Sequence, residues 1–274
     1  MIDLHTHTTA SDGRCTPEEL VERATQAGVT VLGLTDHDTV GGIGRTAAAC
    51  ARAGIEFVPG VEITAIADGM DVHVLGYFID ASSASLDAFL AEQRQRRLDR
   101  VDLIVERLAQ FGIQLDADAI VASAVADPSI SVGRPWIARA LVSGGHVADV
   151  SEAFEKFLAT GRAAFVPRMG ARPEEVFARI HDAGGVASLA HPVLVKHDEW
   201  IPGFASSGLD AIEAYHSDHD GAATARYLEL ADRLGLRVSG GSDYHGDESH
   251  GPGGPGSVSL PRERFDQLKA IGVR

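Results

Sequence analysis

The chain has 274 residues, of which 45% are hydrophobic and 23% are charged, a composition typical of a folded globular protein. The formal net charge of −15 argues against charge-driven binding of long nucleic acids or anionic membranes, but not against a small anionic substrate that metal ions hold. The two cysteines form no disulfide or metal-site pattern, the N-terminus has no signal-peptide pattern and no apolar run could span a bilayer. We therefore expect a cytoplasmic protein that does not bind membranes, and no obligate protein partner is evident.

The first 81 residues alternate short apolar runs with helical patterns. Strands are predicted at residues 2–7, 29–34, 55–58 and 72–77, and residues 61–64 follow the third of them after Pro59 and Gly60. A helix should begin at Pro17, because Thr16 is a good N-cap and Glu19 can complete a capping box, and it should end near Gly28. A second helix should follow a glycine-rich turn and run through Ala53. This alternation predicts parallel strands that are connected by helices.

Residues 82–161 have a different pattern. Apolar residues recur at helical spacing through a long, arginine-rich segment, and Asp127 and Pro128 then interrupt the helical pattern. Further helices are predicted at residues 134–142 and 150–158, and no part of this segment has a convincing strand pattern. We therefore interpret residues 82–161 as a helical insertion that caps the site, in a barrel made of residues 1–81 and 162–274.

The barrel pattern resumes after the insertion. Strands are predicted at residues 164–166, 185–190, 211–215 and 236–239, with helices at 173–183 and 222–234. A loop rich in proline and glycine, residues 251–256, should lead to a short closing helix. The predicted fold class is α/β, and in barrels of this kind the active groups lie at the C-terminal ends of the strands.

Imidazole and carboxylate side chains follow the predicted strand ends. His5 and His7 are two residues apart, so both side chains should point to one side of a strand, and Asp243 and His245 repeat this spacing after the last strand. The candidate metal ligands are His5, His7, Asp12, His37, Glu62, His73, His191, Asp243 and His245. This set is too large for one ion and suits two or three divalent ions, with Glu62 as a bridge. Ligands without thiolates favour Mn²⁺, Zn²⁺ or Fe²⁺, of which we expect Mn²⁺.

The other histidines give weaker signals. We expect four of them to be ordinary surface residues, namely His146, His181, His197 and His250. His216 and His219 follow a predicted strand end, so a role in the site stays open for them.

The motifs that carry these ligands resemble those of the PHP (polymerase and histidinol phosphatase) family. They are His5-x-His7, Asp12-Gly13, Thr35-Asp36-His37-Asp38, Glu62, His73, Ala190-His191-Pro192 and Ser242-Asp243-x-His245. The resemblance implies a distorted (β/α)7 barrel and metal-dependent hydrolysis of phosphoesters. It also implies that His5, His7, Glu62 and Asp243 hold one ion, that Glu62, His73 and His191 hold a second, and that Asp12, His37 and His245 hold a third. Glu62, Asp243 and His191 would then be catalytic.

The substrate should be selected by the insertion. Ser131, Gly133 and Arg134 precede or begin a predicted helix, and a helix N-terminus together with an arginine favours an anion. This stretch resembles the PHP subgroup that removes the 3′-phosphate from 3′,5′-nucleoside bisphosphates, related members of which trim short RNA oligonucleotides from the 5′ end. By this resemblance Arg134 and His219, with Ser131 beside them, would bind the 5′-phosphate while the metal ions hold the 3′-phosphate. Arg168 and Arg172 are weaker candidates.

Two alternatives stay open on the sequence alone. One is a histidinol-phosphate phosphatase, which belongs to the same family and has a monophosphate substrate. The other is an accessory module of the kind that is attached to polymerases. The complete ligand set favours an enzyme over an accessory module.

Overall fold

The computed structural model of the chain describes residues 1–246 and 253–272. His250, predicted to be a surface residue, and the first two residues of the predicted loop 251–256 lie outside the described residues. Across the part of the chain that is described, no helix combines the length and the apolar character that a membrane span requires.

Seven strands form one sheet, in the order in which they occur in the chain. They are β1 (Ile2–Asp3), β2 (Val31–Leu34), β3 (Glu56–Ala67), β4 (Met70–Tyr77), β5 (Val186–Leu189), β6 (Ala211–Tyr215) and β7 (Arg237–Gly240). The Leu4 N–H donates to the Gly240 carbonyl, and a parallel bridge joins Thr6 to Tyr244. The two edge strands are therefore neighbours, and the predicted α/β fold with a distorted seven-stranded barrel is confirmed.

The prediction of a uniformly parallel sheet is wrong for its middle strand. β4 runs antiparallel to both β3 and β5, whereas the other neighbouring pairs are parallel. The reason is local, because only Asp68 and Gly69 separate β3 from β4, and both have positive φ angles, of 48° and 78°. A two-residue connection of this kind makes a hairpin, which requires antiparallel strands.

The strand predicted at residues 55–58 is longer than expected, because it continues through residues 61–64 as part of β3. Residues 56–59 of β3 pair with β2, and residues 60–67 pair with β4. Pro59 and Gly60, which we expected to interrupt the strand, therefore mark the point at which it changes partner.

The strand predicted at residues 164–166 does not form. Arginine side chains of the insertion donate hydrogen bonds to the backbone carbonyl groups of these residues. Both Nε and Nη2 of Arg100 donate to the Val166 carbonyl, at 2.9 and 2.7 Å, and Arg107 donates to the Phe165 carbonyl. These acceptors are then not available to a neighbouring strand.

The helices of the barrel cover the outside of the sheet. They are α1 (Pro17–Gln26), α2 (Ile43–Ala53), α7 (Pro173–Asp182), α8 (Pro192–Val195), α9 (Ile201–Ser206), α10 (Gly221–Leu234) and α11 (Arg262–Gly272). The predicted capping box is present, since the Glu19 N–H donates to the Thr16 hydroxyl and the Thr16 N–H donates to the Glu19 carboxylate. Residues 84–158, all of which are described, contain helices and no strand.

The helices of that segment are α3 (Ala84–Ala109), α4 (Ala117–Ala126), α5 (Arg134–Ser143), α6 (Val150–Ala153) and a π-helical turn (Phe154–Leu158). They enclose a hydrophobic cluster of their own, to which Ile104, Leu108 and Ile137 belong. The N-terminal part of α3 instead packs into the barrel core through Phe89 and Leu90. α3 thus contributes to two cores, one at each end.

Arg97 connects the insertion to the barrel between these two cores. Its guanidinium donates to the Asp38 carboxylate at 2.5 Å, to the Thr64 hydroxyl at 3.1 Å and to the Val132 carbonyl at 3.2 Å. Arg97 and Asp38 are both buried. Arg168 also lies 3.6 Å from the Asp38 carboxylate, but removal of Asp38 would leave the buried charge of Arg97 without its counterion, so this ion pair fixes the insertion on the barrel.

We expect Gly241→Ala to destabilise the protein by about 3 kcal/mol or more, because the added Cβ would overlap the backbone nitrogen and Cβ of His5 at the junction of the first and last strands. The matched control is Gly44→Ala in α2, where nothing lies within 4 Å of an added Cβ. That change should stabilise the protein by about 0.5–1 kcal/mol. Chemical denaturation of both variants measures this difference, and equal stabilities would contradict it.

Candidate metal centre

Four of the predicted ligands converge on one point at the barrel end. The Nε2 atoms of His5 and His7 lie 3.3 Å from Glu62 Oε2, and they lie 3.2 and 3.1 Å, respectively, from Asp243 Oδ1. Four ligand atoms that surround one ion at about 2.0–2.1 Å in a tetrahedron are spaced by about 3.3 Å. The spacing found here therefore fits an ion held by His5, His7, Glu62 and Asp243.

Glu62 is the centre of the whole cluster. Its Oε2 also lies 3.1 Å from His37 Nδ1, while its Oε1 lies 2.8 Å from His73 Nδ1 and 3.1 Å from His191 Nε2. The two oxygens of one buried carboxylate thus face two different sets of imidazoles. This is the geometry that a bridging carboxylate needs.

A further group surrounds Asp12. Its carboxylate lies 3.3 Å from His245 Nε2 and 3.7 Å from His37 Nε2, and the His7 ring stacks on that of His245 at 4.1 Å. The structure therefore brings all nine predicted ligands into one cluster. His7 and His37 each lie between two of the ligand groups, so these groups share side chains more than the sequence indicated.

Two buried carboxylates outside this cluster hold the ligand-bearing loops in place. Asp36 accepts from the Thr8 N–H at 2.7 Å and from the hydroxyls of Thr8 and Ser11. Asp3 accepts from the N–H and hydroxyl of Ser242, at 2.9 and 2.6 Å. These hydrogen bonds fix the loops. The candidate ligands that follow Asp3, Asp36 and Ser242 in the sequence are therefore held towards the cluster.

The donor set fits divalent metal ions. Within the described residues, the Nδ1 and Nε2 atoms of His7 and the Nδ1 atoms of His37 and His73 are buried and have no hydrogen-bond partner. Orphaned imidazole nitrogens are rare inside proteins, and next to carboxylates they are typical of metal ligands. The absence of thiolates from the cluster favours a catalytic site over a structural zinc site.

The charges in the cluster depend strongly on one another. Burial alone would raise the pKa of Glu62, but the surrounding His37, His73 and His5 outweigh it and hold that pKa well below its usual range. Burial lowers the pKa of His7, yet its contacts with Asp243 and Glu62 outweigh burial and raise that pKa to about 10. Without ions, therefore, protons balance the charge of the carboxylates.

The sequence missed one acidic residue at this end of the barrel. Glu213 on β6 is fully buried and lies 2.9 Å from His5 Nδ1. The available signal was an acidic residue in the middle of an otherwise apolar strand, Ala-Ile-Glu-Ala-Tyr. His216, left open by the sequence, is buried as well, with Nε2 3.4 Å from Asp243 Oδ2.

The predicted substrate residues lie in different surroundings. Arg134 lines a cavity of about 890 Å³ that also contains candidate ligands such as Glu62 and His191. Ser131 and His219 are not among the residues that line this cavity: the Ser131 side chain is buried, and His219 Nδ1 donates to the Ala214 carbonyl at 2.9 Å.

The cavity wall contains three more arginines. Arg97, Arg139 and Arg168 accompany Arg134 there. Of the two weaker candidates, Arg168 is thus in the cavity, whereas Arg172 has an 81% exposed side chain and pairs with Glu174. The sequence did not single out Arg97 of α3 and Arg139 of α5, because an arginine in a helix usually lies on a solvated face.

Known proteins resemble this chain over most of its length. The model of the PHP domain family matches residues 3–120. A 3′,5′-nucleoside bisphosphate phosphatase of Chromobacterium violaceum is 36% identical, over 89% of this chain and 87% of that protein. The 5′-3′ exoribonuclease Rnm of Escherichia coli is also 36% identical, over 89% of this chain and 84% of that protein. A solved structure from Bifidobacterium adolescentis, provisionally assigned as a metal-dependent phosphoesterase, is 32% identical and matches 99% of this chain and 96% of that one with a TM-score of 0.90.

We expect the metal-free protein to lose stability as the pH rises from about 6.5 towards about 10. The pKa of His7 is raised in the folded state, so the stability that its proton contributes is complete below the unfolded pKa and is lost as the proton dissociates. Added Mn²⁺ should reverse this slope, because ions that replace the protons bind more tightly at higher pH. Thermal unfolding with a chelator and with Mn²⁺ across this pH range measures both slopes, and identical slopes would contradict the prediction.

Proposed function

The chain belongs to the PHP family of metal-dependent phosphoesterases, and from this membership we propose that it removes the 3′-phosphate from 3′,5′-nucleoside bisphosphates. Hydrolysis would leave a nucleoside 5′-monophosphate and inorganic phosphate. The observation that carries this proposal is that the candidate metal ligands and a group of arginines line the same cavity.

Two anion sites in one cavity suit a substrate with two phosphates. Asp71, which pairs with Arg134 and Arg168 at 3.6 and 3.7 Å, lies two residues before His73 on β4. Residues two apart on a strand share a face and are about 7 Å apart. Asp71, the partner of these arginines, and the candidate ligand His73 thus face the same side of β4, which supports an anion site next to the metal ligands.

The contacts of Arg134 with the protein support its proposed role as an anion ligand. Its guanidinium donates to the Leu158 carbonyl at 3.2 Å and lies over the rings of Phe154 and Phe165. Burial lowers the pKa of Arg168 to about 9, so that group also stays charged at neutral pH. An arginine has five N–H donors, so Arg134 and Arg168 keep donors for a phosphate after their contacts to the protein are made.

We propose that two or three divalent ions bind the groups described above and that these ions are Mn²⁺. His5, His7, Glu62 and Asp243 would hold one, Glu62, His73 and His191 a second, and Asp12, His37 and His245 a third. Bound there, the ions would activate water and neutralise charge on the phosphoryl oxygens. Glu62, Asp243 and His191 would be the catalytic residues that hold these ions, and Arg134 would orient the substrate through its other phosphate.

The two relatives named above suggest one additional substrate. One is named for a bisphosphate nucleotide and the other for 5′-3′ action on RNA. We therefore propose short RNA oligonucleotides with a 5′-phosphate as second substrates, since their 5′ end presents the same phosphate to the arginines.

The two alternatives have less support. Histidinol phosphate has a single phosphate, which would leave the arginine group without a ligand, and the names of these relatives do not favour it. An accessory module does not fit either, because the chain covers 84–87% of two relatives that are named as enzymes.

We expect the Mn²⁺-loaded protein to hydrolyse 3′,5′-nucleoside bisphosphates with a higher kcat/KM than histidinol phosphate, because only a bisphosphate fills both anion sites. Release of inorganic phosphate from each compound, and from a short 5′-phosphorylated RNA, measures this preference. Turnover of histidinol phosphate alone would refute the proposal, and turnover of none of these compounds would support the accessory role.

Arg134→Ala should raise KM for a nucleoside bisphosphate by about 10- to 100-fold, the loss expected for a charge-assisted hydrogen bond to phosphate. It should change KM for a generic aryl phosphate far less, because that substrate has no second phosphate. The matched control is Arg172→Ala, since this exposed arginine is not among the residues that line the cavity. Equal losses on both substrates would remove the case for a second phosphate site.

A further inference from the structure

β6 contributes none of the nine candidate ligands, but it carries one buried acid. Glu213 is fully buried, and its neighbours in the strand are Ile212 and Ala214. An ionised carboxylate in such surroundings is unfavourable unless hydrogen-bond donors surround it. The donors that Glu213 uses therefore indicate its role.

Each oxygen of Glu213 accepts a hydrogen bond from a different candidate ligand. Oε1 accepts from His5 Nδ1 at 2.9 Å, and Oε2 accepts from the backbone N–H of His191 at 2.7 Å. His5 follows β1 and contacts Glu62 Oε2, whereas His191 follows β5 and contacts Glu62 Oε1. A single carboxylate thus connects ligands that face the two opposite oxygens of Glu62.

The contact with His5 fixes which of its nitrogens can bind an ion. Both nitrogens face a carboxylate, but Nδ1 makes the shorter contact, 2.9 Å to Glu213 against 3.3 Å from Nε2 to Glu62. When the lone pair of Nε2 binds an ion, the proton of the neutral imidazole therefore lies on Nδ1, where Glu213 accepts it. Nε2 is the atom that lies 3.3 Å from Glu62 and 3.2 Å from Asp243. Glu213 therefore directs the lone pair of His5 towards the other ligands of its group.

The contact with His191 supports a strained backbone. His191 has a φ angle of +27°, a backbone conformation that residues other than glycine rarely adopt. This conformation places the His191 side chain at Glu62 Oε1, and the bond from its N–H to Glu213 holds it there. Strain of this kind persists only where the surroundings compensate for it.

Glu213 does not act as an ion ligand in its own right. Donor atoms of His5, Glu213 and His216 lie close enough together to hold an ion. However, both oxygens of Glu213 already accept hydrogen bonds, and His216 Nδ1 accepts from the Asp218 N–H at 3.1 Å. His216 directs its other nitrogen, Nε2, towards Asp243. These residues thus form a layer behind the ligands.

We propose that Glu213 is a positioning residue that sets the tautomer of His5 and the backbone conformation of His191, and so couples two ion sites that share Glu62. This inference rests on the proposed function only because it requires metal ions to bind the candidate ligands around Glu62. It predicts that a change at Glu213 weakens ion binding although no ligand is removed.

Two variants separate position from charge. In Glu213→Gln one half of the amide is a donor, so it can accept only one of the two hydrogen bonds. In Glu213→Asp the charge stays, but the shorter side chain cannot reach both donors. The matched control is Ser239→Ala, because Ser239 is buried on β7 directly opposite Glu213 and its hydroxyl bonds to Ser188.

The measurement is titration of Mn²⁺ into the metal-stripped full-length protein by calorimetry, with thermal unfolding of the metal-free variants as a check on folding. We expect about 10- to 100-fold weaker Mn²⁺ binding for both Glu213 variants and wild-type binding for Ser239→Ala. Wild-type affinity in Glu213→Gln would overturn the proposal. So would wild-type affinity in Glu213→Asp alone, since charge rather than position would then matter.

The variants also distinguish this inference from the proposed function. If Glu213→Gln does not fold without metal, Glu213→Asp carries the test. If the wild-type protein binds Mn²⁺ but hydrolyses no bisphosphate, the proposed substrate is wrong, while the binding data still decide the role of Glu213.

Discussion

Glu62 is the contact on which the site depends, because five imidazoles approach the two oxygens of this one buried carboxylate. So many titratable groups can be buried together only if protons or metal ions balance their charges. The barrel makes this arrangement feasible by bringing the ends of several strands to one place. β3 delivers Glu62 just beyond the point where the strand changes its partner from β2 to β4. The antiparallel strand β4 then brings His73 to the same end of the barrel.

The residues around the cluster hold it in a conformation that the chain would not adopt alone. Asp38, His191 and Asp243 all have positive φ angles, of 50°, 27° and 55°. Each lies at or beside a candidate ligand, and buried carboxylates or arginines support the backbone there. Asp38 is paired with Arg97 of the insertion, so the adjoining ligand, His37, is held partly from outside the barrel. The insertion thus contributes to the site both through the cavity wall and through this ion pair.

The sequence predicted the class of fold and the nine side chains that the structure brings together around Glu62, because imidazoles and carboxylates at successive strand ends are an uncommon pattern. It did not predict the direction of β4, since a two-residue hairpin at Asp68 and Gly69 looks like any short turn. Glu213 was missed because one acid in a short apolar strand gives no spacing to recognise. Arg97 was missed because its partner, Asp38, is 59 residues away, and only the folded chain shows that they meet. The substrate role that the sequence assigned to His219 stays a prediction: its Nδ1 bonds to the Ala214 carbonyl, and the residue is not among those that line the cavity.

The packing of α3 limits how such proteins can exchange the barrel and the insertion with those of a relative. Because its N-terminal part packs in the barrel and its C-terminal part packs in the insertion, no helix boundary separates the two units. A chimera that joins this barrel to the cap of a relative at residue 82 would replace Phe89 and Leu90 and so disturb the barrel core. A junction inside α3, between Leu90 and Val101, would respect both cores. Recombination during evolution meets the same restriction, so the cap and the barrel should diversify together rather than as interchangeable modules.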